Sequence, residues 1–137
     1  MSVFVDSSAF YAAADKRSRG NGRARTALER ADGLLTSDHV LAETWSLLNG
    51  RLGRHAAQSF WATVQDGAVE MATVGVSDLD RAWRIAHDFP DQDFSLVDMT
   101  SFAVMERMGI TRVATFDHHF AVYRYGPRRD RAFEIAK

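Results

Sequence analysis

Cysteine is absent from the chain, proline occurs twice, and lysine occurs only as Lys16 and Lys137 against fifteen arginines. No uninterrupted apolar run approaches the roughly 18 residues that a membrane span needs. Without cysteine there are no disulfides and no thiolate ligands, so any metal must be held by oxygen or imidazole. The opening Met1-Ser2-Val3-Phe4-Val5-Asp6 places no basic segment ahead of an apolar core, so neither a secretory signal nor membrane association is expected. The expected compartment is the cytoplasm. A length of 137 residues suits a single domain over 1–137, able to bury about two thirds of the surface its unfolded chain exposes.

The formal charge of -1 gives no overall attraction to nucleic acid, but the charge is unevenly placed. Residues 16–30 carry Lys16, Arg17, Arg19, Arg23, Arg25 and Arg30 against Glu29 alone, and the tail carries Arg124, Arg128, Arg129 and Arg131 against Asp130. Such clusters can line a phosphate-binding surface around an acidic centre or form ordinary solvated faces.

Local patterning alternates strands with helices. Val3-Phe4-Val5 reads as a buried strand ending at Asp6, and Asp6-Ser7-Ser8 can cap a helix over 9–14. Two glycines break that helix before a second one over 23–31. Leu34-Leu35-Thr36 reads as the next strand, and Ser37 with Asp38 opens a helix. There Leu41, Trp45, Leu48 and Leu52 recur with helical spacing as the expected core stripe, with Glu43 near the rim of the buried face. A helix over 55–65, a strand over 69–74 and a helix opened by Ser77 or Asp78 follow, the last containing Leu79, Ala82, Trp83 and Ala86. Trp45, Trp61 and Trp83 are expected to serve packing rather than base stacking.

Ser95 followed three residues later by Asp98 is a capping signature for a helix reaching Met108, closed by Gly109. Val113-Ala114-Thr115 is a short strand before Asp117, and the tail is irregular or an edge strand. Alternation of this kind predicts an α/β fold, a three-layer α/β/α sandwich with a central, mainly parallel sheet. Ligands then bind outside the carboxyl ends of the strands.

Four acidic residues stand at such edges: Asp6, Glu43, Asp98 and Asp117. Carboxylates gathered within a few ångströms repel one another, and a cation relieves the repulsion. An all-oxygen set suits Mg2+, with Mn2+ as a substitute. Such an ion can activate water and stabilise the charge that develops in phosphodiester hydrolysis. Asp6 and Asp98 are expected to make the most direct metal contacts, with Asp117 and Glu43 binding directly or through water and Thr115 adding a hydroxyl. His118 and His119 are read as structural or surface residues, and Asp91 and Asp93 as loop and capping residues that could also support the site.

Val3-Phe4-Val5-Asp6-Ser7-Ser8-Ala9, Leu41-Ala42-Glu43-Thr44, Phe94-Ser95-Leu96-Val97-Asp98-Met99-Thr100 and Ala114-Thr115-Phe116-Asp117-His118-His119-Phe120 together resemble the acidic motifs of the PIN-domain family, and more narrowly those of VapC-type toxin ribonucleases. The resemblance implies a nuclease whose quartet is Asp6, Glu43, Asp98 and Asp117. It also implies Mg2+ as cofactor, RNA as substrate, a homodimer, and a cognate VapB-type antitoxin whose C-terminal segment blocks the site. The alternative within the fold is a catalytically silent module that binds RNA or protein. A haloacid-dehalogenase-like phosphatase would want an acidic residue where Ser8 stands. A receiver domain would want a lysine late in the sheet, where none occurs before Lys137.

Overall fold

Val3, Phe4 and Val5 are all essentially buried although successive strand residues point to opposite faces, so the strand they form is covered on both sides. The computed structural model describes residues 2–136, leaving Met1 and Lys137 outside. The buried strand, β1 (Ser2–Val5), lies at the centre of a five-stranded sheet with β2 (Gly33–Ser37), β3 (Glu70–Ala72), β4 (Arg112–Ala114) and β5 (Glu134–Ile135). Every pairing is parallel and the order is β3-β2-β1-β4-β5. The expected α/β class with a parallel sheet is therefore the one observed, and the tail supplies an edge strand.

Seven helices flank this sheet among the described residues: α1 (Ser7–Ala14), α2 (Asn21–Arg30), α3 (Asp38–Arg51), α4 (Arg54–Gln65), α5 (Val76–Asp88), α6 (Leu96–Met108) and α7 (His119–Val122). The chain runs from β1 outward through β2 to β3, then returns to β4 on the other side of β1. The connections after β1 and β4 thus leave in opposite directions, which opens a crevice at the carboxyl ends of these two strands. Asp6 follows β1 there, and its N–H extends the ladder to the carbonyl of Ala114 at 3.0 Å.

Helix α6 begins as its sequence predicts. Ser95 Oγ accepts from the Asp98 N–H at 3.0 Å, and Asp98 Oδ2 accepts from the Ser95 N–H at 3.0 Å. Gly109 ends the helix in the left-handed region at φ 67°, where a side chain would be strained. Ser37 caps α3 through the Val40 N–H. By contrast, the Asp6 side chain makes no cap for α1, which leaves its carboxylate available to the crevice.

Two packing expectations are corrected. The buried stripe of α3 is Val40, Thr44 and Leu48, while Leu41 and Trp45 are half-buried and Leu52 is exposed. Thr44 Oγ1 donates to the Val40 carbonyl, so its hydroxyl is satisfied inside an apolar contact. On α5 the buried face is Asp78, Ala82 and Ile85, and Trp83 is 69% exposed. Trp61 is exposed as well and meets Trp45 edge-on at 5.6 Å. The tryptophans are consequently surface or rim residues rather than core.

What selects the observed face of α5 is a polar anchor. Asp78 is buried, and its carboxylate accepts from Arg107 of α6 through Nε at 2.9 Å and Nη2 at 3.0 Å, and from the Gly75 N–H. Such a two-pronged pair fixes α5 against the helix that carries Asp98. Arg107→Met strips Asp78 of both guanidinium bonds and is expected to lower stability by about 1–3 kcal/mol in urea unfolding.

Candidate active site

The crevice draws its carboxylates from four elements. Asp6 stands at the end of β1 and Asp98 in the first turn of α6, and both are buried. Asp117 follows β4 and is half-buried, and Glu43 comes from α3. Asp6 lies close enough to Asp98, and Asp98 to Asp117, for each neighbour to act on the other's ionisation. Glu43 is tied to the residue after Asp6, because the Ser7 hydroxyl donates to Glu43 Oε1.

Burial pushes the Asp6 carboxyl up to about 6; the Ser8 and Thr115 hydroxyls oppose the rise and the Asp98 charge adds to it. Burial also raises Asp98, against the Ser95 N–H and His119, while Asp117 pushes in the same direction as burial. No lysine or arginine pairs with Asp6, Asp98 or Asp117 among the described residues. Among the described residues, the local excess of negative charge is therefore not neutralised by any lysine or arginine.

Three side chains that sequence reasoning did not place in the site hold it together. Ser8 Oγ donates to Asp6 Oδ2 at 2.8 Å, beside Thr115 Oγ1 at 2.9 Å. Ser7 holds Glu43. His119 Nδ1 lies 2.9 Å from Asp98 Oδ2 and 3.3 Å from Asp117 Oδ1, and the His119 N–H donates to the same Asp117 oxygen at 2.9 Å. With Nδ1 protonated, the imidazole bridges the two carboxylates. The adjacent histidines do not diverge: their ring centroids lie 4.4 Å apart, with His118 on the surface as expected and His119 turned in against Phe94. The signal for His119 was its place at the start of α7, two residues after Asp117. Asp91 and Asp93 remain exposed in the loop before α6.

The hydrogen bonds just described fall on one oxygen of each carboxylate: Oδ2 of Asp6, Oδ2 of Asp98, Oδ1 of Asp117 and Oε1 of Glu43. The second oxygen of each is left out of that network. Oriented carboxylate oxygens without sulfur fit a hard divalent cation. Asp117, His118 and His119 also bring ligand atoms within 4.8 Å of one another.

Residues 3–124 match the model of the PIN domain. The chain is 36% identical over 122 residues to the 23S rRNA-specific endonuclease VapC20 of Mycobacterium tuberculosis, covering 87% of this chain and 92% of that protein. It is 27% identical over 124 residues to ribonuclease VapC26 of the same species, covering 89% of this chain and 92% of that one. The crystal structure of VapC20, a sarcin-ricin loop cleaving toxin, superposes with a TM-score of 0.83 at 34% identity, over 88% of this chain and 93% of that chain. VapBC2 from Rickettsia felis, solved with a promoter DNA fragment, shares the fold at TM-score 0.70 and 11% identity over the full length of both chains.

The raised Asp6 carboxyl yields a sign-specific expectation. Burial carries it to about 6, above the ordinary aspartate value of 3.8, so the folded protein holds this proton more tightly. Stability without divalent metal should fall as pH rises from about 4 to about 6, by up to roughly 3 kcal/mol. Asp6→Asn removes that loss, raising the Tm of the metal-free protein at pH 7.5, and Mg2+ should stabilise the unsubstituted protein but not the variant.

Proposed function

Because the chain belongs to the PIN-domain family and, within it, to the VapC-type toxin ribonucleases, we propose that it is a Mg2+-dependent endoribonuclease, the toxin of a VapBC-type pair. One catalytic domain over 1–137 is proposed to work in the cytoplasm on RNA phosphodiester bonds. The observation that carries this reading is the pair of buried carboxylates, Asp6 and Asp98, left without a lysine or arginine partner among the described residues at the sheet crevice. Asp6, Asp98, Asp117 and Glu43 would hold the ion, which when bound supplies charge neutralisation and water activation.

The chain's own residues set the geometry. Ser8 and Thr115 fix the Asp6 carboxylate, Ser95 and His119 fix that of Asp98, and Ser7 fixes Glu43. Rotation of any of these groups would otherwise cost ordering when metal and phosphate arrive. His119 acts as a positioning residue, holding Asp98 and Asp117 at one spacing.

The family supports a VapB-type antitoxin as partner. A homodimer is supported by the exposed row Val76, Leu79 and Trp83 along one side of α5, an apolar face of the kind that subunits cover. Among the described residues no helix is long and apolar enough to cross a membrane.

Incubating purified protein with a mixed RNA pool that includes 23S rRNA tests the reading. Cleavage is expected with Mg2+, absent with EDTA, and reduced at least about 100-fold in Asp98→Asn. Cleavage that persists in EDTA or in the variant contradicts it. RNA binding without cleavage under every condition favours the silent module. His119→Asn is expected to reduce cleavage by roughly 10- to 100-fold and to raise the Mg2+ concentration needed for half-maximal rate. An unchanged Mg2+ requirement would remove the positioning role.

A further inference from the structure

Phe116 sits between Thr115 and Asp117, yet its ring is 43% exposed while Ala114 and Thr115 beside it are buried. Exposing a phenyl ring in the middle of a polar motif has no value for the core. The ring is nevertheless held firmly. The Phe116 N–H donates to Ser8 Oγ at 2.9 Å, the hydroxyl that also holds Asp6. A Cβ on Gly20 would lie 2.8 Å from Phe116 Cζ, so the ring is seated directly against glycine backbone. The Arg23 guanidinium lies 5.4 Å from its centroid, and Arg51 lies 5.1 Å from that of Tyr11.

Phe116, Tyr11 and Arg51 meet at a cavity of about 370 Å3 lined also by Ser7, Ser8 and Gly20, while Arg23 stands over the Phe116 ring outside that lining. Two of its walls, Ser7 and Ser8, are the residues that hold Glu43 and Asp6, so the cavity opens directly beside the acidic centre. Neither guanidinium has a carboxylate partner among the described residues. An exposed ring with unpaired arginines around it is the arrangement by which proteins hold single-stranded nucleic acid: bases stack on the ring and the cations follow the backbone. A base inside a duplex has both faces covered and could not stack there.

We propose that this cavity is a nucleobase subsite, in which an unpaired base beside the cleaved phosphate stacks on Phe116 while Arg23 and Arg51 contact the flanking phosphates. The assignment rests on the ribonuclease reading for its substrate, and adds that the strand must be unpaired next to the cut. It also separates the arginine clusters. Arg23 belongs to the binding surface, whereas in the tail Arg124 donates to backbone carbonyls and Arg129 pairs with Asp88.

Phe116→Ala, Phe116→Leu and Phe116→Trp would be compared by fluorescence anisotropy in the Asp98→Asn background. The probes are a labelled mixed-sequence single-stranded RNA and its fully paired duplex. Ala and Leu should weaken single-strand binding about 5- to 150-fold, Trp should restore it, and duplex binding should not change. Arg51→Ala should lower the dependence of single-strand affinity on salt by about one phosphate contact. If Phe116→Ala melts early, Phe116→Leu, which keeps the apolar packing, decides the matter. Equal binding by Leu and Phe, or equal losses on single strand and duplex, overturns the subsite.

Cleavage by the same Phe116 variants with Asp98 intact separates the two readings. Cleavage by the unsubstituted protein with ring-independent affinity removes only the subsite. Absence of cleavage with ring-dependent affinity removes the nuclease reading and keeps the subsite. Failure to bind RNA at all overturns both.

Discussion

Mutual repulsion among carboxylates in one crevice is the constraint on which this structure turns. Asp6 and Asp98 are withdrawn from water, and each raises the cost of charging the next along the row to Asp117. A fold that merely needed to be stable would place an arginine there or exchange the acids for apolar residues. This one has fifteen arginines to draw on and, among the described residues, pairs none with Asp6 or Asp98. The unrelieved charge is the physical reason for assigning a cation to the site, and it makes sense of the surrounding hydrogen bonds, which orient the carboxylates without neutralising them.

The architecture supplies that crevice at little cost. Central β1 is buried on both faces, and the change of direction between β1 and β4 exposes the strand ends where Asp6 and Thr115 emerge. Helix α6 delivers Asp98 from the side, braced through α5 by the Asp78 and Arg107 contact. At its far end Tyr123, fully buried among Phe94, Phe102 and Phe133, donates to Glu106 at 2.7 Å. The aromatic cluster beneath α7 thereby connects the tail strand to the turn that carries His119. Rigidity around the carboxylates is built from contacts well outside the crevice.

How much of this was legible in the chain depends on the range of the interaction. A strand ending in aspartate, a serine with an aspartate three residues on, and a glycine after Met108 are local signals, and the elements they predict are present. The parallel sheet followed from alternation of strands and helices. The facing of α3 and α5 did not, because both helices carry apolar residues on more than one side. Leu41, Trp45, Leu79 and Trp83 look like core by spacing, but Thr44 and Asp78, whose polar groups are satisfied by partners, take the buried positions. Ser7 reaches Glu43 and His119 reaches Asp98 across 36 and 21 residues of sequence, which no local pattern reports, whereas Ser8 and His119 each also hold an acid two residues away. The convergence of the four acids was expected from Asp6 and Asp117 at strand ends, Asp98 at a helix start and Glu43 at the rim of a helix face; in the structure Asp6 lies near Asp98, Asp98 near Asp117, and Glu43 bonds to Ser7.

The most direct measurement is anomalous diffraction from crystals of the protein soaked in Mn2+. The account predicts manganese bonded to those oxygens of Asp6 and Asp98 that stand outside the hydrogen-bond network, with Asp117 and Glu43 reached directly or through water. Manganese confined to Asp117, His118 and His119, or none in the crevice at saturating Mn2+, would contradict it.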